Sequence, residues 1–191
     1  MVLVYSEVIL DSPVRFLASG MGDALSTYYE AQACQRNPAA SSLIAPFIYR
    51  PPALATAIGR QCRDVLLEHG EAALAACTSK KMNSAFESVV EANILMSGLG
   101  AECGGLAGAH AIHNALNELP DSHKALHGEK VAFGTICQLF LEEDAEEAHK
   151  VAQLCKKVRL RWLLEHWQHQ SEIPGGLLRF VAPCQLSVGS A

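Results

Sequence analysis

The chain has 191 residues, of which 50% are hydrophobic and 18% charged, and a net charge of -5. This is the composition of a globular, core-forming chain, enough for one domain or one domain plus an appendage, and it excludes a disordered protein. Mild acidity without a basic stripe excludes nucleic acid as a partner, and apolar runs broken well before the roughly 18 residues of a membrane span exclude the bilayer.

The first residues, Met1-Val2-Leu3-Val4-Tyr5-Ser6-Glu7, lack a basic region followed by an apolar run and a cleavage site, so no signal peptide is visible. Seven cysteines are an odd number without a CxxC pair. Cys34, Cys62, Cys77, Cys137 and Cys155 fall in helical patterns and read as small buried hydrophobes, which suits a reducing, cytoplasmic compartment.

In chain order, residues 2–4 and 8–10 are short apolar runs with strand character. A lone strand at a terminus cannot satisfy its own backbone, so residues 1–10 read as the remnant of a domain missing upstream. Ser12-Pro13 is a helix start, with Ser12 as N-cap. The glycines of Gly20-Met21-Gly22 predict a break or a close-packing point. On spacing alone, Asp23 is then the N-cap of a helix over 24–36. Residues 37–52 form a connection rich in Pro and Ser. A helix over 52–68 follows, closed by His69-Gly70, then a short one over 71–77. Asn83 or Ser84 caps the next, which ends at Gly98. Residues 98–105 read as a flexible, glycine-rich entry to the following helix. That helix carries Leu106, Ala109, Ile112 and Leu116 on one face and His110, His113 and Asn117 on another. Pro120-Asp121 breaks it. His127-Gly128-Glu129 opens another, with Val131, Ile136, Leu139 and Phe140 as its apolar positions. Glu142-Glu143-Asp144 is a solvated turn, and 146–158 is a last helix on which His149 is a surface residue. The body over 11–158 is nearly all helix, with no parallel sheet and no repeat.

The stretch 98–134 holds four of the eight histidines. One of them sits within a helix and another at the start of the next, so two rings on separate helices can be aimed at one metal ion. The positive end of a helix dipole disfavours an imidazolium, which leaves a histidine there free to ligate. Spacing alone does not decide the matter, because a single helical histidine also serves as a hydrogen-bonded core or surface residue.

Four blocks in order carry a resemblance: Gly20-Met21-Gly22-Asp23-Ala24-Leu25, Val89-Val90-Glu91-Ala92-Asn93, Gly105-Leu106-Ala107-Gly108-Ala109-His110-Ala111-Ile112-His113-Asn114, and His127-Gly128-Glu129-Lys130-Val131-Ala132-Phe133-Gly134. Over about 2–158 the chain resembles the glycerol dehydrogenase family. That family belongs to the metal-dependent polyol and alcohol dehydrogenases that share a fold with dehydroquinate synthase. The resemblance implies a mostly α chain: the helical metal-binding C-terminal domain of that fold over 11–158, a strand remnant over 1–10, and a divergent, truncated tail over 159–191. It implies that Asp23, His110 and His127 are metal ligands, which displaces the N-cap reading of Asp23. Iron-type relatives place a fourth ligand, a histidine, one turn after the aspartate, where this chain has Thr27. The implied site is therefore one Zn²⁺, or another divalent metal, with an open position. His113 is implied as a catalytic residue that orients water, substrate or cofactor.

The implied activity is NAD-linked oxidation of glycerol to dihydroxyacetone. The family's dinucleotide-binding domain is expected to be missing, so NAD is a cofactor only if that domain is supplied, and the chain alone is expected to be inactive. Association into homo-oligomers, or through the face left exposed, is expected. Another polyol or glycerol-phosphate dehydrogenase, or a non-catalytic metal-binding or subunit-interaction remnant, are the alternatives. His166-x-x-His169, beside Trp162 and Trp167, lies beyond the resemblance.

Overall fold

The computed structural model describes residues 3–37 and 50–160. The expectations for 161–191 and for most of the 37–52 connection lie outside the described residues. Among the described residues eight α-helices run in order: α1 Ser6–Asp11, α2 Val14–Arg36, α3 Ala53–Ser79, α4 Ser84–Glu91, α5 Ser97–Gly104, α6 Gly108–Leu116, α7 His127–Leu141 and α8 Ala145–Lys157. A π-helical turn, Ala92–Met96, joins α4 to α5, and a 3-10 turn, Pro120–Lys124, precedes α7. The described residues contain no strand, and none of their helices is long and apolar enough to cross a membrane.

Helix α2 is the axis of the bundle. It packs against α3, α5 and α7 and is buried over most of its length. Tyr29, Met21 and Leu25 of α2 are fully buried together with Leu66, Phe86, Ile136 and Leu139 from the surrounding helices. Cys34, Cys62, Cys77, Cys137 and Cys155 are buried as expected. Burial pushes the thiols of Cys62, Cys137 and Cys155 up to about 12, with the charge of Asp23 contributing at Cys62.

The N-terminal strand reading is corrected. Val8, Ile9 and Leu10 belong to helix α1, and residues 3–5 have no regular structure. Two carbonyls at the end of this short helix find partners without a sheet. Lys80, at the end of α3, donates from Nζ to the Leu10 and Ser12 carbonyls at 2.6 and 2.8 Å. Ser12 donates its hydroxyl to the Ile9 carbonyl at 2.7 Å, closing α1 instead of capping α2.

Gly20 and Gly22 take the close-packing role of the two expected, and the breaks expected at Gly70 and Gly98 are absent. Gly20 and Gly22 lie inside α2. A methyl group on Gly22 would stand 2.5 Å from the Gly128 carbonyl oxygen, and one on Gly20 would stand 2.9 Å from the Asn93 amide nitrogen. Asp23 is consequently in mid-helix and caps nothing. Gly70 continues α3, which absorbs the short helix expected over 71–77. It lies against Met21 and Leu154, and α3 ends at Lys80 in the left-handed region. Gly98 does not end its helix either. The π turn carries the chain on to Gly104, and the break comes at Gly105, with φ 84°. The expected flexible entry is therefore mostly helix α5, whose Gly100 and Gly104 seat it on Thr27 and Ala31 of α2. Phe140 is exposed and stacks edge-on against His149.

Candidate metal centre

Three helices meet at the site. Asp23, Thr27 and Glu30 fall on one stripe of α2 at spacings of four and three residues. Helix α6 brings His110 in its first turn, and α7 brings His127 as its first residue. Close approach of these helices depends on glycine. A side chain on Gly128 would overlap the Ser19 carbonyl of α2, and one on Gly134 would overlap the Ala109 carbonyl of α6. An ion pair fixes the axial position of α7. Arg15 of α2 holds the fully buried Glu129 through two hydrogen bonds of 2.8 and 2.7 Å. Glu129 in turn accepts the Leu126 amide at 2.8 Å, capping the helix that begins at His127.

The donors converge. Asp23 Oδ1 lies 3.2 Å from His127 Nε2 and 3.5 Å from His110 Nε2, and the three donor atoms lie within 4.8 Å of one another. A tetrahedral ion with bonds of roughly 2.0–2.1 Å separates neighbouring donors by about 3.3 Å, so an Asp-His-His set at these distances fits such an ion. The side chains of Asp23 and His127 are 39% and 51% exposed against 15% for His110, so the centre opens to solvent on the Asp23–His127 side.

The outer nitrogens of both rings are engaged. His110 Nδ1 lies 2.7 Å from Glu30 Oε2. Glu30, fully buried, also accepts the Ala107 and His110 amides on Oε1 at 2.8 and 2.9 Å. His127 Nδ1 lies 3.0 Å from His113 Nε2, and His113 Nδ1 lies 3.1 Å from Asn114 Oδ1. One protonation pattern satisfies both chains. His113 donates from Nδ1 to Asn114, His127 donates from Nδ1 to His113, and His110 donates from Nδ1 to Glu30. Both inner Nε2 lone pairs are then free to face Asp23. Histidines that hold metals commonly donate their second nitrogen in this way.

Without a cation the charges settle differently. Burial opposes charge on both Asp23 and His110, but their mutual hydrogen bonds and charges prevail. The Asp23 carboxyl is held well below the usual carboxylate range, with His127 contributing, and His110 is pushed up to about 10, with Glu30 contributing. A proton on His110 takes the place beside Asp23 that a metal would fill. Burial and the charge of His127 lower the pKa of His113.

All three expected ligands are thus brought together, and His113 stands directly behind His127. Thr27 is buried between Ser97, 3.2 Å from its hydroxyl, and Gly100. That position is packed against α5. Glu30 was not anticipated. A second carboxylate two turns from Asp23 on the same stripe of α2 was the available signal.

No family model matches the chain. The chain is 41% identical over 190 residues to a glycerol dehydrogenase of Escherichia coli O6:H1, which covers 99% of this chain and 50% of that protein. It is 43% identical over 162 residues to the glycerol dehydrogenase of Thermotoga maritima, covering 83% and 43% of the two. Among solved structures, glycerol dehydrogenase from Schizosaccharomyces pombe superposes with a TM-score of 0.73 at 43% identity, over 81% of this chain and 39% of that one. The chain belongs to the glycerol dehydrogenase family. It matches the C-terminal helical domain of glycerol dehydrogenase structures and spans about half the length of the curated relatives it matches.

Proposed function

We propose that this chain is the metal-carrying half of a glycerol dehydrogenase, with Asp23, His110 and His127 holding one divalent cation, zinc by the chemistry of the donors. The reading rests on one observation above others: a carboxylate and two imidazoles from three helices meet at 3.2 and 3.5 Å in a chain of this family. A bound cation would supply Lewis-acid polarisation of a substrate hydroxyl. A small polyol, glycerol first, reaches the centre from its open side. Nicotinamide dinucleotide would accept the hydride. The described residues contain no strand-to-helix glycine turn to cradle its phosphates, so its seat lies outside them.

The chain's own residues prepare the site. Glu30 and His113 hold the two ligand rings with their Nε2 lone pairs inward. His113 stands behind His127, 3.0 Å from its Nδ1, and orients that ring. Asp23 carries the negative charge that offsets the cation's. The Arg15–Glu129 pair and the glycine contacts hold the three helices at the separation the donors need.

The test is an assay of purified chain with zinc, glycerol and NAD at alkaline pH, followed by NADH absorbance. Hydride transfer requires the nicotinamide held about 3–3.5 Å from the substrate carbon, and losing that positioning forfeits roughly 7–11 kcal/mol of barrier. The expected result is no measurable turnover from the chain alone and turnover once a separately expressed dinucleotide domain is added. Robust turnover by the chain alone contradicts the assignment of the dinucleotide seat. No turnover in either case contradicts the assigned activity.

A further inference from the structure

We infer that Glu30 is a positioning residue that couples the start of helix α6 to the protonation pattern of His110. The inference rests on the metal reading proposed above. One fully buried carboxylate serves two kinds of donor. Its Oε1 accepts the Ala107 and His110 amides, which have no carbonyl partner within α6 because they precede and open it. Its Oε2 lies 2.7 Å from His110 Nδ1. His110 is thereby held at its backbone and at its ring by the same group. Asp23 and Glu30 sit two turns apart on one face of α2, and the His110 ring lies between them.

The chemistry follows from donor counting. A carboxylate only accepts, so the nitrogen facing Glu30 must carry a proton. The neutral ring then has its lone pair on Nε2, beside Asp23, where a metal requires it. In the parent chain the helix cap and the ligand orientation are therefore a single device.

Glu30→Gln separates the two roles, because an amide cannot perform both. If its oxygen keeps the two backbone amides, its NH₂ faces His110 Nδ1. Nδ1 must then accept, and the ring proton moves to Nε2, blocking the metal. If the amide flips, His110 keeps its tautomer and the cap is lost. The experiment measures zinc affinity of the 191-residue chain by chelator competition, with helicity and thermal midpoint recorded in EDTA. Ring tautomers are read by long-range proton–nitrogen NMR. For Glu30→Gln we expect native helicity in EDTA, zinc affinity lower by roughly 10–100-fold, and an Nε2–H tautomer at His110. A folded Glu30→Gln chain that binds zinc as tightly as the parent overturns the inference and leaves the proposed function standing. A parent chain that binds no zinc overturns both. If Glu30→Gln does not fold, the zinc-loaded parent decides. Coordination through His110 Nε2 with a proton on Nδ1 supports the inference, and coordination through Nδ1 overturns it.

Discussion

Gly128 lies against Ser19, so close that a methyl group on the glycine would overlap the serine carbonyl. This contact lets α7 press onto α2 and carries the adjacent His127 to Asp23. Gly128→Ala must therefore push the helices apart. We expect a loss of about 1–3 kcal/mol or more, the usual range for overpacking, together with weaker zinc binding. Gly98→Ala is the control. Gly98 has nothing within 4 Å of an added methyl, so alanine should stabilise its helix by roughly 0.8–1 kcal/mol. Urea unfolding of both variants checks the opposite signs.

Glu129 is fully buried, and its ionic partner Arg15 is 45% exposed. Arg15→Ala leaves the carboxylate with the Leu126 amide but without its cation. Breaking a buried pair costs about 3–5 kcal/mol, and the exposure of Arg15 places this one at the lower end. Glu129→Gln, which keeps an acceptor for Leu126, should cost less. Equal losses from the two substitutions would contradict the view that the charge is what matters.

Cys137 and Cys155 make stability fall at alkaline pH. Burial raises both thiols from 9.0 to about 12. Below pH 9 they are protonated in both states and their contribution is complete. Above it the unfolded thiols ionise and the folded ones do not, so stability is lost as pH rises, up to about 12. Each contributes about 1.4 kcal/mol per pH unit over that window. Urea midpoints at pH 9 and 10 should fall steeply for the parent and less for a Cys137→Ala, Cys155→Ala chain. Identical slopes would contradict the assignment.

Ile94, Leu95 and Leu99 are 40%, 53% and 46% exposed along the π turn and α5. An apolar stripe of this kind favours association. Light scattering of the chain should show concentration-dependent oligomers, and Leu95→Lys should reduce them. A chain that stays monomeric at high concentration would contradict this.

The helices and the three donor residues were legible in sequence for different reasons. Periodic apolar positions located α3, α6, α7 and α8, because a helix that buries one face repeats every three or four residues. The donors were legible only through four motif blocks in order, since spacing alone left Asp23 as an N-cap. The misreadings share a cause. Gly70 and Gly98 read as local breaks, and Gly20-Met21-Gly22 as a break or a close-packing point; Gly20, Gly22 and Gly70 are places where a distant segment comes close, a relation the local sequence does not show. Val8 to Leu10 failed likewise. Strand character was plain, but Lys80, about 70 residues on, supplies the carbonyl partner that lets a helical turn form there. Glu30 and the Arg15–Glu129 pair were hidden because their partners lie 77 to 114 residues away.

The central claim is that Asp23, His110 and His127 form one metal centre, and zinc titration into EDTA-stripped chain, with an Asp23→Asn, His127→Ala variant beside it, tests it most directly. The account predicts one tightly bound zinc per chain for the parent and none for a variant that keeps its helicity. A folded variant that still binds one equivalent, or a folded parent that binds none, would contradict it.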